Sequence, residues 1–205
     1  MITFNIAQWR AWAPGLTNVE EWQQWSQHPT PLQSSDEAPD VSFLPAMQRR
    51  RLGRLARMAF AVGWPLAQGH ARLPLVFVSR HGETPRTFEI LCDVAASEPL
   101  SPTQFSLSVH NAVIGLCSIM RGETSEMTAL AAAGDGLEHG VFEAAALLAE
   151  GAPAVLVIVT EEQDLVYRGA AAPGSITPPE GAGPEPACDW HRIIQPDEVL
   201  LFRYS

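Results

Sequence analysis

The chain has 205 residues, 46% of them apolar and 18% charged, a composition that excludes a disordered or fibrous protein. All 13 basic side chains are arginine, so Schiff-base chemistry, a pyridoxal phosphate anchor and a Walker A phosphate contact, which all need lysine, are ruled out. The formal net charge of −10 argues against a nucleic-acid partner, because phosphate binding depends on a basic surface that releases counterions.

No apolar run approaches the roughly 18 to 20 residues that span a bilayer. The first residues also lack the basic flank and apolar stretch of a secretory signal. The expectation is therefore a cytoplasmic protein with no membrane contact, folded as a single domain over residues 1–205. Cys92, Cys117 and Cys188 are odd in number, widely spaced and without a C-x-x-C pair. That pattern suits neither a disulfide framework nor a structural zinc site, and no metal or cofactor is expected.

Residues 2–12 alternate apolar with polar or small side chains and meet a breaker at Ala13-Pro14-Gly15, as a strand and turn would. Trp22 and Trp25 follow in a short polar region, and four prolines between Pro29 and Pro45 mark a long loop. Residues 49–57 carry five arginines and no acid, leaving eight arginines against 23 acids elsewhere. A helix from about Pro45 to Val62 would place Arg50, Arg54 and Arg57 on one face and Leu52, Leu55, Ala59 and Val62 on another. That basic face is either a solvated helix surface or a contact for an acidic partner.

Residues 73–79 (Leu-Pro-Leu-Val-Phe-Val-Ser) form a nearly continuous apolar run that suits a buried strand, and a helix is expected from Pro85 to about Ala96. Residues 105–120 place Phe105, Val109, Ala112, Val113, Leu116 and Met120 in helical register and are apolar on almost every face, so this helix should be covered on most sides. Residues 127–133 read as a strand. Asp135 with Glu138 three residues on then reads as a capped helix start, with the helix running to Leu148 and ending at Gly151-Ala152-Pro153. Residues 154–160 (Ala-Val-Leu-Val-Ile-Val-Thr) give another strand, and strand–helix–strand order implies a parallel βαβ crossover. The class is α/β. Residues 169–186 hold four glycines and five prolines in 18 positions and read as a surface loop, before a last strand at 198–204.

The junction Ala131-Ala132-Ala133-Gly134-Asp135-Gly136 turns a strand sharply into a helix N-terminus. Enzymes of this class often expose a nucleophile at such a corner, where the helix dipole and backbone N–H groups favour negative charge. From Ser101 to Gly151, the run Ser-Pro-Thr-Gln-Phe-Ser-Leu-Ser-Val-His-Asn-Ala-Val-Ile-Gly, then Ser118-Ile119-Met120-Arg121-Gly122, then this corner resemble the N-terminal half of a β-ketoacyl synthase. With Ser79-Arg80-His81-Gly82-Glu83 and the arginine helix, residues 43–161 resemble the short ketosynthase-like chain length factors of aryl polyene and related pigment clusters.

The resemblance implies a thiolase-like half-domain, with a mixed sheet and a parallel βαβ unit flanked by helices. The cysteine of the ketosynthase T-A-C motif falls on Gly134, after Ala132 and Ala133, so the resemblance implies no nucleophile. The two active histidines of condensing enzymes belong to a C-terminal half that this sequence is not expected to build, and nothing around His191 matches them. A Claisen condensation needs a thiolate to hold the acyl chain and two imidazoles to decarboxylate the malonyl unit and stabilise charge.

The implied role is a non-catalytic subunit that pairs with a ketosynthase, walls the pocket in which the polyene grows and limits its length. The implied partner interface comprises Ser108, His110, Asn111 and Gly115 with the strand Met127, Thr128, Ala129 and Leu130. Arg50, Arg54 and Arg57 would then attract the partner or an acidic acyl carrier protein.

Two rivals remain. Arg80-His81-Gly82 after an apolar strand also matches the signature of histidine phosphatases, in which an imidazole attacks phosphorus while arginines hold the phosphoryl oxygens. That motif normally follows a first strand, however, and His139 sits inside a predicted helix rather than after a late strand. The other rival is a homodimeric acyl-chain-binding protein of the same fold.

Overall fold

The computed structural model describes residues 4–32, 35–132 and 134–162, together with the backbone of residues 198–203. The expected loop at 169–186, Cys188 and His191 lie outside them. In chain order the elements are β1 (Asn5–Ala11), α1 (Val19–Gln27), α2 (Ala46–Arg49), α3 (Arg54–Ala67), β2 (Leu75–Val78), α4 (Thr84–Ala95), α5 (Pro102–Ser106), α6 (Ala112–Arg121), β3 (Met127–Leu130), α7 (Gly136–Ala149), β4 (Ala154–Val159) and β5 (Glu198–Arg203).

The five strands form one mixed sheet in the order β1-β5-β4-β2-β3. β2 lies between β3 and β4 and is parallel to both, with Phe77 opposite Ala129 on one side and Ile158 on the other. β5 runs antiparallel between β4 and β1. The β3–α7–β4 unit is thus the expected parallel crossover, and it steps over β2.

Period-2 alternation sorts the side chains of β2 and β4 onto two covered faces. Leu75, Phe77, Leu156 and Ile158 pack against α3 and α6, whereas Val76, Val78, Val155 and Val157 pack against α7. Val76, Phe77, Val155 and Val157 are all 0% exposed, and burying each stabilises the fold by about 1.5–3 kcal/mol. Glycines let the helices approach closely. A Cβ at Gly63 of α3 would lie 2.6 Å from Ile158 Cδ1, and one at Gly140 of α7 would lie 2.9 Å from Val78 Cγ2.

Four sequence expectations change. The polar stretch around Trp22 and Trp25 is a helix, α1, closed by a capping box in which the Asn18 side chain accepts from the Glu21 amide. The arginine segment is not one helix: α2 ends at Arg49 and α3 begins at Arg54, with Gly53 at its N-cap. The break lets Leu52 turn inward, to 6% exposure. Carbonyls freed by the break accept from Arg57, whose Nε donates to Leu52 (3.3 Å) and whose Nη2 donates to Arg49 (3.2 Å). Arg50 therefore does not share a helical face with Arg54 and Arg57.

The expected helix over 105–120 is likewise two pieces, α5 and α6. Ser108 donates to the Phe105 carbonyl at 2.9 Å and His110 donates to the Ser79 carbonyl at 2.7 Å. Such local and cross-chain bonds compete with helical ones. Finally, Asp135 precedes α7 without a side-chain capping bond. Its carboxylate lies 3.4 Å from His139 Nδ1, which donates to the Asp135 carbonyl at 2.9 Å.

Candidate functional site at the ends of the parallel strands

β2, β3 and β4 end on the same side of the sheet, and each delivers a piece of the site there. β3 delivers the corner. It stops at Leu130, Gly134 is exposed, and α7 starts at Gly136, so residue 134 lies at the sheet-to-helix junction. The start of α7 is pressed onto the end of β2, since a Cβ at Gly136 would lie 2.9 Å from Val78 Cγ1. Residue 134 is a glycine, so it places no side chain at this corner.

β2 delivers the Ser79–Glu83 loop, and β4 delivers Glu161, which holds that loop. The Glu161 carboxylate accepts from Ser79 Oγ (3.0 Å), the Arg80 amide (2.6 Å), the His81 amide (3.3 Å) and His81 Nδ1 (2.9 Å). Ser79 Oγ in turn accepts from the Gly82 amide at 2.9 Å. Gly82 adopts φ +55°, and a Cβ there would lie 2.9 Å from His110 Cδ2, so both backbone conformation and space require glycine. His110 meets Phe77 edge-on at 5.8 Å and is fixed by its bond to Ser79.

Behind this loop lies a charge network. Glu83, 6% exposed, is paired with Arg86 at 3.0 Å. Burial pushes the Glu83 carboxyl above the ordinary carboxylate range, against the opposing pull of Arg86. Glu162 is also raised, chiefly by burial and further by the neighbouring Glu83 and Glu161, with Arg54 3.8 Å away. His81 thus faces the Glu161 carboxylate, and two nearby arginines, Arg86 and Arg54, are paired with Glu83 and Glu162. A phosphoryl group would meet negative charge here, which tells against the phosphatase reading. His139 bonds to its own helical turn and not to this loop.

The expected interface residues are partly assembled. Among the described residues β3 is an edge strand, paired on one side only, and all four of its residues are half-buried. Ser108, His110 and Asn111 lie between α5 and α6, with Asn111 exposed. Gly115 of α6 has open space where a Cβ would stand. Around them the chain from Thr84 to Asn111 buries one residue, Ile90, and leaves Phe88, Leu91, Val94, Leu100, Phe105 and Val109 between 45% and 63% exposed.

Arg50 is exposed, whereas Arg54 donates to the carbonyls of Glu37 (2.8 Å) and Ser35 (3.1 Å). Cys117 packs half-buried against the core, and desolvation raises its thiol pKa to about 11. Among the described residues no group of three or more His, Cys, Asp or Glu side chains could hold a metal ion, and no helix is long and apolar enough to cross a membrane. Sequence reasoning missed Glu161. Its role comes from contacts 80 residues away in the chain, and the flat run Thr160-Glu161-Glu162 carries no local signal.

The N-terminal domain profile of β-ketoacyl synthases matches residues 22–175, three quarters of the sequence. The chain belongs to the β-ketoacyl synthase family. Its fold is the thiolase-like half-domain, an α/β unit. The structure of a ketosynthase, ApeO, in complex with its chain length factor, ApeC, from Xenorhabdus doucetiae contains a chain 30% identical to this one. That match covers all of this chain and 80% of the other, with a TM-score of 0.75. A β-ketoacyl synthase from Burkholderia phymatum shares the fold at 12% identity and a TM-score of 0.54, over 89% of this chain. The chain spans about half the length of that synthase, 51% of it. No curated protein matches the chain.

Proposed function

We propose that this ketosynthase homologue is a non-catalytic subunit of the chain length factor type, which pairs with a ketosynthase and helps wall the pocket in which a polyene chain grows. The observation that carries this reading is the glycine at the corner between β3 and α7: where the resemblance places the thiolate that condensing chemistry needs, this chain has a residue without a side chain. The half-exposed apolar arm formed by α4 and α5 supports a partner, since six large side chains in one stretch of surface favour burial against another protein. The open edge of β3 supports it too, because an unpaired strand edge presents N–H and C=O groups to a second chain. The similarity to a chain from a ketosynthase–chain length factor complex points the same way.

In this reading Ser108, His110, Asn111, Gly115 and Met127 through Leu130 contact the ketosynthase. The arginine segment attracts an acidic acyl carrier protein, chiefly through Arg50, because Arg54 and Arg57 are engaged within the chain. The product is an aryl polyene or related polyketide, and the site of action is the cytoplasm.

The test is co-expression with a candidate ketosynthase, followed by size-exclusion chromatography and a condensation assay with and without this chain. Co-elution, and products whose length changes when this chain is omitted, are the expected results. A ketosynthase that never co-elutes and works unchanged rejects the reading. Self-association with acyl-chain binding and no ketosynthase contact would support the homodimeric binding protein instead.

A further inference from the structure

At the sheet edge opposite β3, β1 borders an open groove of about 710 Å³, within the roughly 300–1,000 Å³ typical of ligand sites. α3 contributes Ala61 and Val62, and the start of α1 and residues 37–40 complete the walls. Two observations define its chemistry.

The first is charge. From Ala11 to Gln48 the sequence has five carboxylates and no arginine. Three of those acids, Glu20, Glu37 and Asp40, line the groove together with the cation Arg10, and Arg54 lies close by against Trp12. Bonds from the Ser42 hydroxyl and amide hold the Asp40 carboxyl below its ordinary range, so it stays ionised. The second is aromatic surface. Trp12 and Trp22 line the groove, and Trp9 beside them is 41% exposed. At the rim the chain already binds an arginine of its own: the Arg54 guanidinium lies 6.0 Å from the Trp12 ring centroid while donating to the Ser35 and Glu37 carbonyls.

From these we infer that the groove beside β1 docks an extended, arginine-bearing segment of a partner protein, with guanidinium groups against Glu20, Glu37 and Asp40 and an arginine face on Trp9. Guanidinium suits the site because its planar fork both pairs with carboxylates and stacks on indole. Nucleic acid and an acidic carrier protein are repelled by the same carboxylates. This inference stands independently of the proposed function, because neither the β3–α7 corner nor the apolar arm contributes to the groove.

The test measures fluorescence anisotropy of a short labelled peptide of alternating alanine and arginine against the full chain, at about 0.15 M salt to screen distant charges. Glu20→Gln/Glu37→Gln/Asp40→Asn and, separately, Trp9→Ala should each weaken binding by roughly tenfold or more, whereas Trp9→Phe retains most of it. Glu89→Gln/Glu98→Gln/Glu126→Gln, which changes the net charge equally elsewhere on the surface, should alter binding by less than about twofold. Circular dichroism confirms that each variant is folded. Equal losses in the two triple variants, no binding by the unmodified chain at millimolar peptide, or complete competition by tetramethylammonium at matched concentration would each overturn the inference.

Discussion

Gly115→Ala and Gly140→Ala make the same chemical change inside two helices, α6 and α7, and should move stability in opposite directions. In either helix interior alanine is favoured over glycine by about 0.8–1.0 kcal/mol. At Gly115 a new Cβ meets nothing within 4 Å, so the whole gain is realised. At Gly140 it would lie 2.9 Å from Val78 Cγ2 and 3.2 Å from Val157 Cγ1. Those valines are 1% and 0% exposed and belong to the two central strands, so neither can retreat without disturbing the sheet.

Overpacking of this kind costs about 1–3 kcal/mol, which leaves Gly140→Ala a net loss near 1 kcal/mol. The two variants should therefore differ by about 2 kcal/mol, or roughly 4–8 °C in Tm at this chain length. Thermal and urea unfolding followed by circular dichroism measure it. A Gly140→Ala protein as stabilised as Gly115→Ala would refute the close seating of α7 on β2 and β4 that positions residue 134. Gly115 carries a second readout, because a methyl forced into a packed interface weakens pairing by roughly 5- to 150-fold at about 1–3 kcal/mol. A stabilised Gly115→Ala that co-elutes with the ketosynthase undiminished removes Gly115 from the proposed interface.

Glu161→Ala should free the Ser79–Gly82 loop and lower stability by about 1–3 kcal/mol, with faster hydrogen exchange at the Arg80 and His81 amides; unchanged protection there would contradict the clamp. Glu83 and Glu162 both have raised carboxyl pKa values, so the folded state binds protons more tightly than the unfolded one. Their contribution is present below the ordinary carboxylate range and is lost as pH rises through the folded values. Glu162→Gln should accordingly flatten the fall in Tm from about pH 4.5 upward, and an unaltered profile would disprove the coupling. At pH 8 a thiol reagent should label exposed Cys92 in the native protein much faster than Cys117, which is half-buried and has its pKa near 11; peptide mapping that finds both labelled at equal rates would exclude the raised pKa. Phe105→Asp, at a side chain 63% exposed, should change stability by less than about 0.5 kcal/mol yet abolish co-elution with the ketosynthase, and intact pairing would remove the α5 arm from the interface.

The central strands were legible because their evidence is local. The apolar runs at 73–79 and 154–160 have the length and β-branched content that suit buried strands, and the glycine and alanine corner after β3 is visible in a six-residue window. Two helices were misjudged where local rules give no warning. Residues 105–120 contain no glycine before 115 and no proline, yet the chain leaves the helix at Ser106 because the His110 ring is claimed by the Ser79 carbonyl, 31 residues away in sequence. The arginine segment is interrupted between Arg49 and Arg54, where Leu52 is 6% exposed and the Arg57 side chain satisfies the Arg49 and Leu52 carbonyls.

What the sequence determined alone is therefore the α/β class, the βαβ crossover and the absence of a side chain at position 134, each a matter of residue type within a few neighbours. Tertiary structure decided which carboxylate holds the loop after β2, which arginines are already engaged, and which apolar residues face outward. Hydrogen bonds and burial depend on groups brought together from distant positions in the chain, and no window of sequence contains both partners.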